Sequence, residues 1–236
     1  GVAALTLTGD SSNWYGRGLA TGDLNNDGAA DVVLGAPRKD VGSRANGGIA
    51  GLYWGPLSSD VDINDPDIEV WGSDGNAYLG RALTVGDVDG DDQADLLLGA
   101  LDAKFDSDRV GMVAIVRGPI EDEGTGVLDT LVYDDTEARI YGTPSTAKFG
   151  VDVTLAGDWN GDGIDDLVIG SRSAFIGHGG LYGFESGLPL TGDFTADDAD
   201  IVIEGVGNGA RTGEALARAD LDGDGLDDLL VGAPER

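Results

Sequence analysis

Cysteine is absent from this 236-residue sequence, and histidine and methionine occur once each. Without cysteine the chain can form neither a disulfide framework nor a thiolate metal site. Basic residues are also few, because 14 Lys and Arg stand against 44 Asp and Glu, for a formal net charge of −30. That charge disfavours nucleic acid and anionic membrane surfaces as partners, since both carry phosphate groups. No apolar run reaches the roughly 18 residues of a membrane-spanning helix, so no membrane insertion is expected.

Sequence signatures of catalysis are missing as well. The chain contains no G-x-S-x-G, H-E-x-x-H or P-loop motif. Its one histidine, His178, lies in "FIGHGGLYG", where the surrounding glycines indicate a loop residue rather than a general base. We therefore expect that the chain is not an enzyme.

Glycine, in contrast, is abundant, with 41 residues, and one pattern of residues occurs four times. The copies begin "YGRGLATGD", "LGRALTVGD", "FGVDVTLAGD" and "TGEALARAD", and each continues into an acidic loop. The loops start at Asp23, Asp87, Asp158 and Asp220, so the pattern recurs every 62 to 71 residues. A period of this length has room for about four strands with their turns.

Each repeat unit supplies four strand candidates, and no helical period of 3.6 residues is present. Second strands such as "DLLLGA" are continuously apolar, which is typical of strands buried on both faces. Four-stranded antiparallel sheets packed radially provide such burial, so we predict an all-β chain forming a β-propeller segment of about four blades. The repeat units of this single propeller region span about residues 10–70, 71–140, 141–203 and 204–236.

The last unit stops after its second strand, and the opening "LTLTG" at residues 5–9 matches a fourth strand. The chain thus supplies roughly three and a half blades. Our first interpretation is a segment of a longer propeller. The alternative is a self-assembling subunit, a homo-oligomer in which another copy completes the propeller.

The acidic loops share the pattern D-x-[DN]-x-D-G-x-x-D, which places hard oxygen donors at positions one, three, five and nine. A backbone carbonyl at position seven adds a fifth donor, and this set suits Ca²⁺, which takes 6–8 oxygen ligands. We expect about four Ca²⁺ ions. The predicted ligands are Asp23, Asn25, Asp27, Ala29 and Asp31; Asp87, Asp89, Asp91, Gln93 and Asp95; Asp158, Asn160, Asp162, Ile164 and Asp166; and Asp220, Asp222, Asp224, Leu226 and Asp228.

Three details qualify this prediction. An EF-hand needs a Glu at position twelve and flanking helices, whereas position twelve here falls inside a predicted strand. The second loop carries Asp92 at position six, where the other three loops have the glycine that a sharp turn favours. Mg²⁺ fits less well than Ca²⁺, because it prefers octahedral sites that retain several waters.

These features together resemble FG-GAP repeats. The resemblance rests on "FG" at Phe149 and Gly150, on the acidic loops, and on "GAP" at residues 35–37 and 232–234. Such repeats build the seven-bladed propeller of integrin alpha subunits and of many bacterial surface proteins, and the low aromatic content here is similar to the bacterial secreted ones. The resemblance implies a calcium-binding, non-catalytic extracellular or cell-surface module for adhesion and for protein or glycan binding. Exposed calcium loops on a rigid scaffold also suit millimolar Ca²⁺ outside cells.

Propeller geometry would separate the connecting loops into two faces. The metal loops share the acidic face with the connections between strands three and four, and the opposite face collects basic residues. An acidic glycan or a protein carboxylate would fit this basic face. A polysaccharide lyase or other glycan-active enzyme built on a calcium-loaded propeller stays as an alternative. The candidate ligand-binding residues are Arg38, Lys39, Arg44, Lys104, Arg109, Lys148, Arg172 and Arg211.

Overall fold

The regular secondary structure of the described chain is almost entirely β-strand. The computed structural model describes residues 12–57, 61–121, 126–129, 138–143, 148–187 and 191–235. Helical structure in these ranges is confined to one turn at Ala174–Gly177 and a 3₁₀ turn at Ala196–Asp198. The chain is therefore all-β, and within its described part no helix is long and apolar enough to cross a membrane. The strand predicted at residues 5–9 lies outside the described residues.

Each of the first three repeat units forms a four-stranded antiparallel sheet in chain order, and the fourth unit forms a hairpin. The first unit contains β1 (Leu19–Gly22), β2 (Asp31–Ala36), β3 (Ile49–Tyr53) and β4 (Ile68–Trp71). The second contains β5 (Leu79–Gly86), β6 (Asp95–Ala100), the small hairpin β7 (Lys104–Phe105) and β8 (Asp108–Arg109), β9 (Met112–Val116) and β11 (Ala138–Tyr141), with β10 described below. The third contains β12 (Phe149–Leu155), β13 (Leu167–Ser171), β14 (Gly180–Phe184) and β16 (Ile201–Glu204), and the fourth β17 (Ala215–Ala219) and β18 (Asp228–Gly232).

The sheets pack face to face, as the apolar second strands predict. Every residue of β6 is buried, and its side chains alternate between two neighbouring sheets. Leu96 and Leu98 pack in one core cluster with Leu52 of the first unit. Leu97 packs in the other cluster with Ile169 of the third unit. The second sheet is therefore sandwiched between the first and the third.

Successive units are joined at a pair of closely packed glycines. A Cβ atom on Gly35, at the end of β2, would lie 1.8 Å from the carbonyl oxygen of Gly80 in the next unit. Only glycine fits at such an approach, which explains why the "FG"-type and "GAP"-type motifs recur together. The same junction is formed between later units by Gly99 with Gly150, at 2.3 Å, and by Gly170 with Gly213, at 2.1 Å.

Two short strands that the sequence analysis missed extend the outer edges of the sheets. β10 (Val127–Asp129) pairs in parallel with β4, and β15 (Gly192–Thr195) pairs in parallel with β11. Both lie in connections that were predicted to be acidic loops between strands three and four. Each of these connections therefore crosses to the outer strand of the preceding unit and ties the two units together.

The first strands of the four units stand side by side, in the order β1, β5, β12 and β17. Radial sheets with their first strands gathered at the centre are a feature of β-propeller blades. The described sheets do not close into a ring. The ends of the inner strands place the four acidic loops at one end of the molecule, and the residues that precede each strand at the other.

Candidate metal-binding loops and the opposite face

In all four acidic loops the position-one aspartate organises the turn by accepting backbone hydrogen bonds. In the third loop Asp158 Oδ1 accepts from the N–H of Gly161 (2.6 Å), and Oδ2 accepts from the N–H of Gly163 (2.7 Å). The backbone N–H of Gly163 makes the largest contribution to a lowered pKa of Asp158. The equivalent bond to position six is made by Asp23 with Gly28 (2.9 Å), Asp87 with Asp92 (2.8 Å) and Asp220 with Gly225 (3.0 Å).

Positions three and five each accept a hydrogen bond from the backbone two residues further on, which is the arrangement of an Asx turn. In the third loop Asn160 Oδ1 accepts from the N–H of Asp162 (2.8 Å), and Asp162 Oδ1 accepts from the N–H of Ile164 (2.9 Å). The other loops repeat both bonds, at Asn25 and Asp27, at Asp89 and Asp91, and at Asp222 and Asp224. One side-chain oxygen at each position is thus used by the backbone.

Position six has a positive φ angle in every loop. The glycines there, Gly28, Gly163 and Gly225, have φ angles of 87°, 96° and 91°. Asp92 takes the same left-handed conformation, with φ of 66°, which Asp tolerates better than most residues. The second loop therefore keeps the shared turn despite its departure from the pattern.

The position-nine aspartates of the first three loops are buried and fasten each loop to the rest of its unit, whereas Asp228 of the fourth loop is exposed. In the third loop Asp166 Oδ2 accepts from the N–H of Trp159 and Oδ1 from the N–H of Ser186, both at 2.8 Å. Ser186 lies in the connection that follows the third strand, so one carboxylate holds the metal loop against that connection. Asp31 makes the same pair of bonds to Leu24 and Gly55, Asp95 makes them to Val88 and Gly118, and Asp228 bonds Leu221.

The second and fourth loops each bring three of the predicted carboxylate ligands together. One oxygen each of Asp87, Asp89 and Asp95 lies within 4.8 Å of the others, and burial raises the pKa of Asp95. In the fourth loop Asp220, Asp222 and Asp224 converge equally closely. In the first and third loops position three is an asparagine whose Nδ2 donates to the position-five aspartate, at 3.2 Å for Asn25 and 2.9 Å for Asn160. The carbonyl groups of Ala29, Gln93, Ile164 and Leu226 remain predicted ligands.

Two arginines contact the loops in ways that the sequence did not reveal. Arg117, just after β9, forms an ion pair with Asp89 in the second loop. The side chain of Asp89 is only 6% exposed, so this guanidinium lies at the carboxylate cluster itself. Arg218 of β17 pairs with Asp165, the position-eight residue of the third loop. Asp165 therefore links two units, whereas its neighbour Asp166 is buried.

The residues predicted as a basic ligand face mostly have partners within the chain. Arg109 donates to the carbonyl oxygens of Asp102 and Gly75, both at 2.8 Å, and Arg44 donates to the carbonyl oxygen of Gly72 (2.9 Å). These bonds hold the strand two-to-three connections against the strand four-to-one connections, at the end opposite the metal loops. Further pairs join Lys39 with Glu69, Lys148 with Asp102, Arg172 with Glu214 and Arg211 with Glu235.

Two members of the predicted face are exposed and form no ion pair within the described residues. Arg38 stacks over the ring of Trp14, 3.6 Å from its centroid, and Trp14 is 40% exposed. Lys104 lies exposed in the β7–β8 hairpin. The structure thus assigns most of these cations to internal contacts and leaves a smaller accessible set than the sequence suggested.

Comparison with known proteins identifies the repeat. The FG-GAP repeat family matches residues 15–52 and 212–236, which include the first and the last acidic loop. Integrin alpha-PS2 of Drosophila melanogaster is 30% identical over 95% of the chain, and human integrin alpha-IIb is 27% identical over 98%. Phosphatidylinositol-glycan-specific phospholipase D of Rattus norvegicus is 29% identical over 59% of the chain.

The chain spans only a part of these relatives. It covers 15% of integrin alpha-PS2, 22% of integrin alpha-IIb and 16% of the phospholipase. The matched repeat, the glycine junctions between units and the similarity to integrin alpha subunits over nearly the whole chain agree with each other. The chain is therefore an FG-GAP repeat domain of the integrin-alpha-like kind.

Proposed function

We propose that each of the four acidic loops binds one Ca²⁺ ion. The observation that carries this proposal is the fourfold repetition of the same carboxylate scaffold, with positions one, three, five and nine held by equivalent backbone hydrogen bonds. The fit rests on the donor set: the ligand positions carry carboxylate and amide oxygens, and three carboxylates converge within 4.8 Å in the second loop and in the fourth. Hard oxygen donors of this number suit Ca²⁺, and bound Ca²⁺ supplies charge neutralisation between strands one and two.

The proposed biological role is an extracellular or cell-surface adhesion module without catalytic activity. Similarity to integrin alpha subunits over 95–98% of the chain supports it. We propose further that the units of about residues 10–70, 71–140, 141–203 and 204–236 are successive blades of a β-propeller, because the same glycine junction joins each pair. A protein or an acidic glycan is the proposed partner.

Metal binding at the third loop can be tested with two matched substitutions that each remove one negative charge. Asp162→Asn removes a proposed ligand, whereas Asp165→Asn removes the neighbouring carboxylate that pairs with Arg218. In a calorimetric titration with Ca²⁺, D162N should weaken one site by more than about tenfold, since even indirect partners of a metal contribute 10–100-fold. D165N should bind as the unsubstituted chain does, and equal behaviour of both variants would contradict the assignment.

A second candidate function is self-assembly, with another copy of the chain completing the propeller. It is favoured by the exposed apolar side chains of the third and fourth units. Ile201 and Ile203 of β16 are 41% and 47% exposed, and Leu230 and Val231 of β18 are also exposed. The outer strands β4 and β11 each pair with a further strand, whereas within the described residues the outer edge of β16 pairs with none. Exposed apolar edges of this kind favour association with another chain.

Light scattering in Ca²⁺ tests this candidate. Self-assembly predicts a dimer mass, and Ile203→Lys should return the chain to monomer mass because it places a charge on the associating edge. The matched control is Ile176→Lys, at a residue that is 98% exposed in the turn after β13. A monomer mass for the unsubstituted chain would exclude self-assembly and leave the metal proposal untouched.

A further inference from the structure

A second constellation of charged side chains surrounds the inner strands at the end opposite the metal loops. The residue that follows the "FG"-type glycine occupies an equivalent position in all four units. These residues line one cavity of about 240 Å³. In every unit the cavity is bounded by the first strand or by the residues just before it. They are Arg17, Arg81, Val151 and Glu214.

Two guanidinium groups share a single carboxylate at this cavity. The side chain of Arg81 is 12% exposed, and its Nη2 donates to Glu214 Oε1 at 2.8 Å. Arg172 approaches the same carboxylate, with Nη1 3.4 Å from both oxygens. The Nε of Arg81 is buried and has no hydrogen-bond partner within the described residues. Glu214 alone therefore cannot satisfy these cations, and a buried donor is left over.

A third guanidinium, that of Arg17, stands exposed at the rim of the cavity. Its side chain forms no ion pair or hydrogen bond within the part of the chain that the structure describes. Burial, followed by the charge of Arg17, lowers the pKa of Arg81, so the positive charge of Arg81 is not fully compensated. An incoming anion would relieve this imbalance.

The other carboxylate of the cavity, Asp152, is already engaged with the backbone. Its Oδ2 accepts from the N–H of Leu216 (2.7 Å) and its Oδ1 from the N–H of Val153 (3.1 Å). Burial raises the pKa of Asp152, whereas its backbone hydrogen bonds and the charges of Arg81 and Arg17 lower it. Three guanidinium groups thus meet two carboxylates in a chain whose formal net charge is −30.

We propose that this cavity binds a carboxylate group, with Arg17 and Arg81 as the hydrogen-bond donors. The planar fork of an arginine matches a carboxylate in a bidentate manner. The volume is below the roughly 300–1,000 Å³ of pockets for larger ligands, so it suits a small acid or one acidic side chain. Leu83 and Val151 in the wall would pack against the methylene groups of such a ligand. The site lies at the far end of the strands from the metal loops, and it goes beyond their proposed function.

The probes are glutarate, as a free acid, and the capped tripeptide Gly-Glu-Gly, with Gly-Gln-Gly as its neutral counterpart. Calorimetric titrations in saturating Ca²⁺ should show binding of glutarate and of the Glu peptide, and none of the Gln peptide. Tighter binding of the peptide would identify an acidic side chain of a partner protein as the source of the carboxylate, and tighter binding of glutarate a free acid. No binding of either acid at millimolar concentration, or equal binding of the Gln peptide, would overturn the proposal.

Three substitutions separate the cavity from general electrostatics. Arg17→Gln should weaken carboxylate binding about tenfold, the effect expected for one charge-assisted hydrogen bond, and the exposed position should leave folding intact. Glu214→Gln should strengthen binding, because it releases Arg81 and Arg172 from their internal partner. Arg218→Gln removes the same charge from the opposite end of β17 and should leave the affinity unchanged. Equal weakening by R17Q and R218Q would show that net charge, rather than this cavity, attracts the anion.

Discussion

Removal of Ca²⁺ with a chelator is expected to lower the thermal unfolding midpoint of the chain by about 20 °C or more. Each loop crowds three or four carboxylates, which repel one another when no cation lies between them. A ligand that binds only the native state contributes about 2.7 kcal/mol per site at a hundredfold excess over Kd, or about 11 kcal/mol for four sites. For a chain of this size about 1 kcal/mol shifts the midpoint by roughly 2–4 °C.

Differential scanning calorimetry measures this shift. The control is the same concentration of chelator already saturated with Ca²⁺, which should leave the midpoint where it is in Ca²⁺ alone. Returning Ca²⁺ to the metal-free chain should restore the higher midpoint. A midpoint that does not respond to the chelator would mean that the acidic loops are ordinary solvated turns.

The second large effect is expected at position nine, and it should persist without Ca²⁺. Asp166→Asn replaces one of the two oxygens that accept from the N–H groups of Trp159 and Ser186. An amide N–H₂ cannot accept, so one backbone donor is left without a partner in a buried site. Such a group costs about 1–3 kcal/mol, and the free energy of unfolding should fall by that amount.

Urea unfolding in excess chelator measures the loss, and Asp162→Asn is the matched control. It removes the same charge from the same loop, but Asp162 is exposed, so unfolding should change by less than about 0.5 kcal/mol. In Ca²⁺ both variants also lose a proposed metal ligand, so the comparison that isolates the backbone contacts of Asp166 is the one made in chelator. Equal effects of D162N and D166N in chelator would show that Asp166 has no structural role beyond its charge.

The strands and the acidic loops could be predicted from the sequence because their signals are local. The apolar run of β6 and the aspartates at alternate positions of each loop are visible within about ten residues. The glycines of the unit junctions were also visible as parts of the "FG" and "GAP" motifs. The sequence did not show why glycine is required there. A Cβ atom on Gly35 would lie 1.8 Å from the carbonyl oxygen of Gly80, and Gly80 belongs to the next unit.

The features that the sequence did not predict depend on contacts between distant residues. β10 and β15 are short and pair in parallel with strands of another unit, so neither length nor alternation marks them. The ion pair of Arg117 with Asp89 requires that the end of β9 lies beside the second loop. The internal partners of the cations predicted for the opposite face, such as Glu69 for Lys39, became visible only in the folded chain.

The most direct test of the central claim is the number of Ca²⁺ ions bound per folded chain, measured by equilibrium dialysis at about 1 mM Ca²⁺, a concentration suited to extracellular calcium modules. The account predicts about four ions per chain, one for each acidic loop, and about three for D162N. Binding of no ions, or a content that D162N leaves unchanged, would contradict the assignment of these loops as calcium sites.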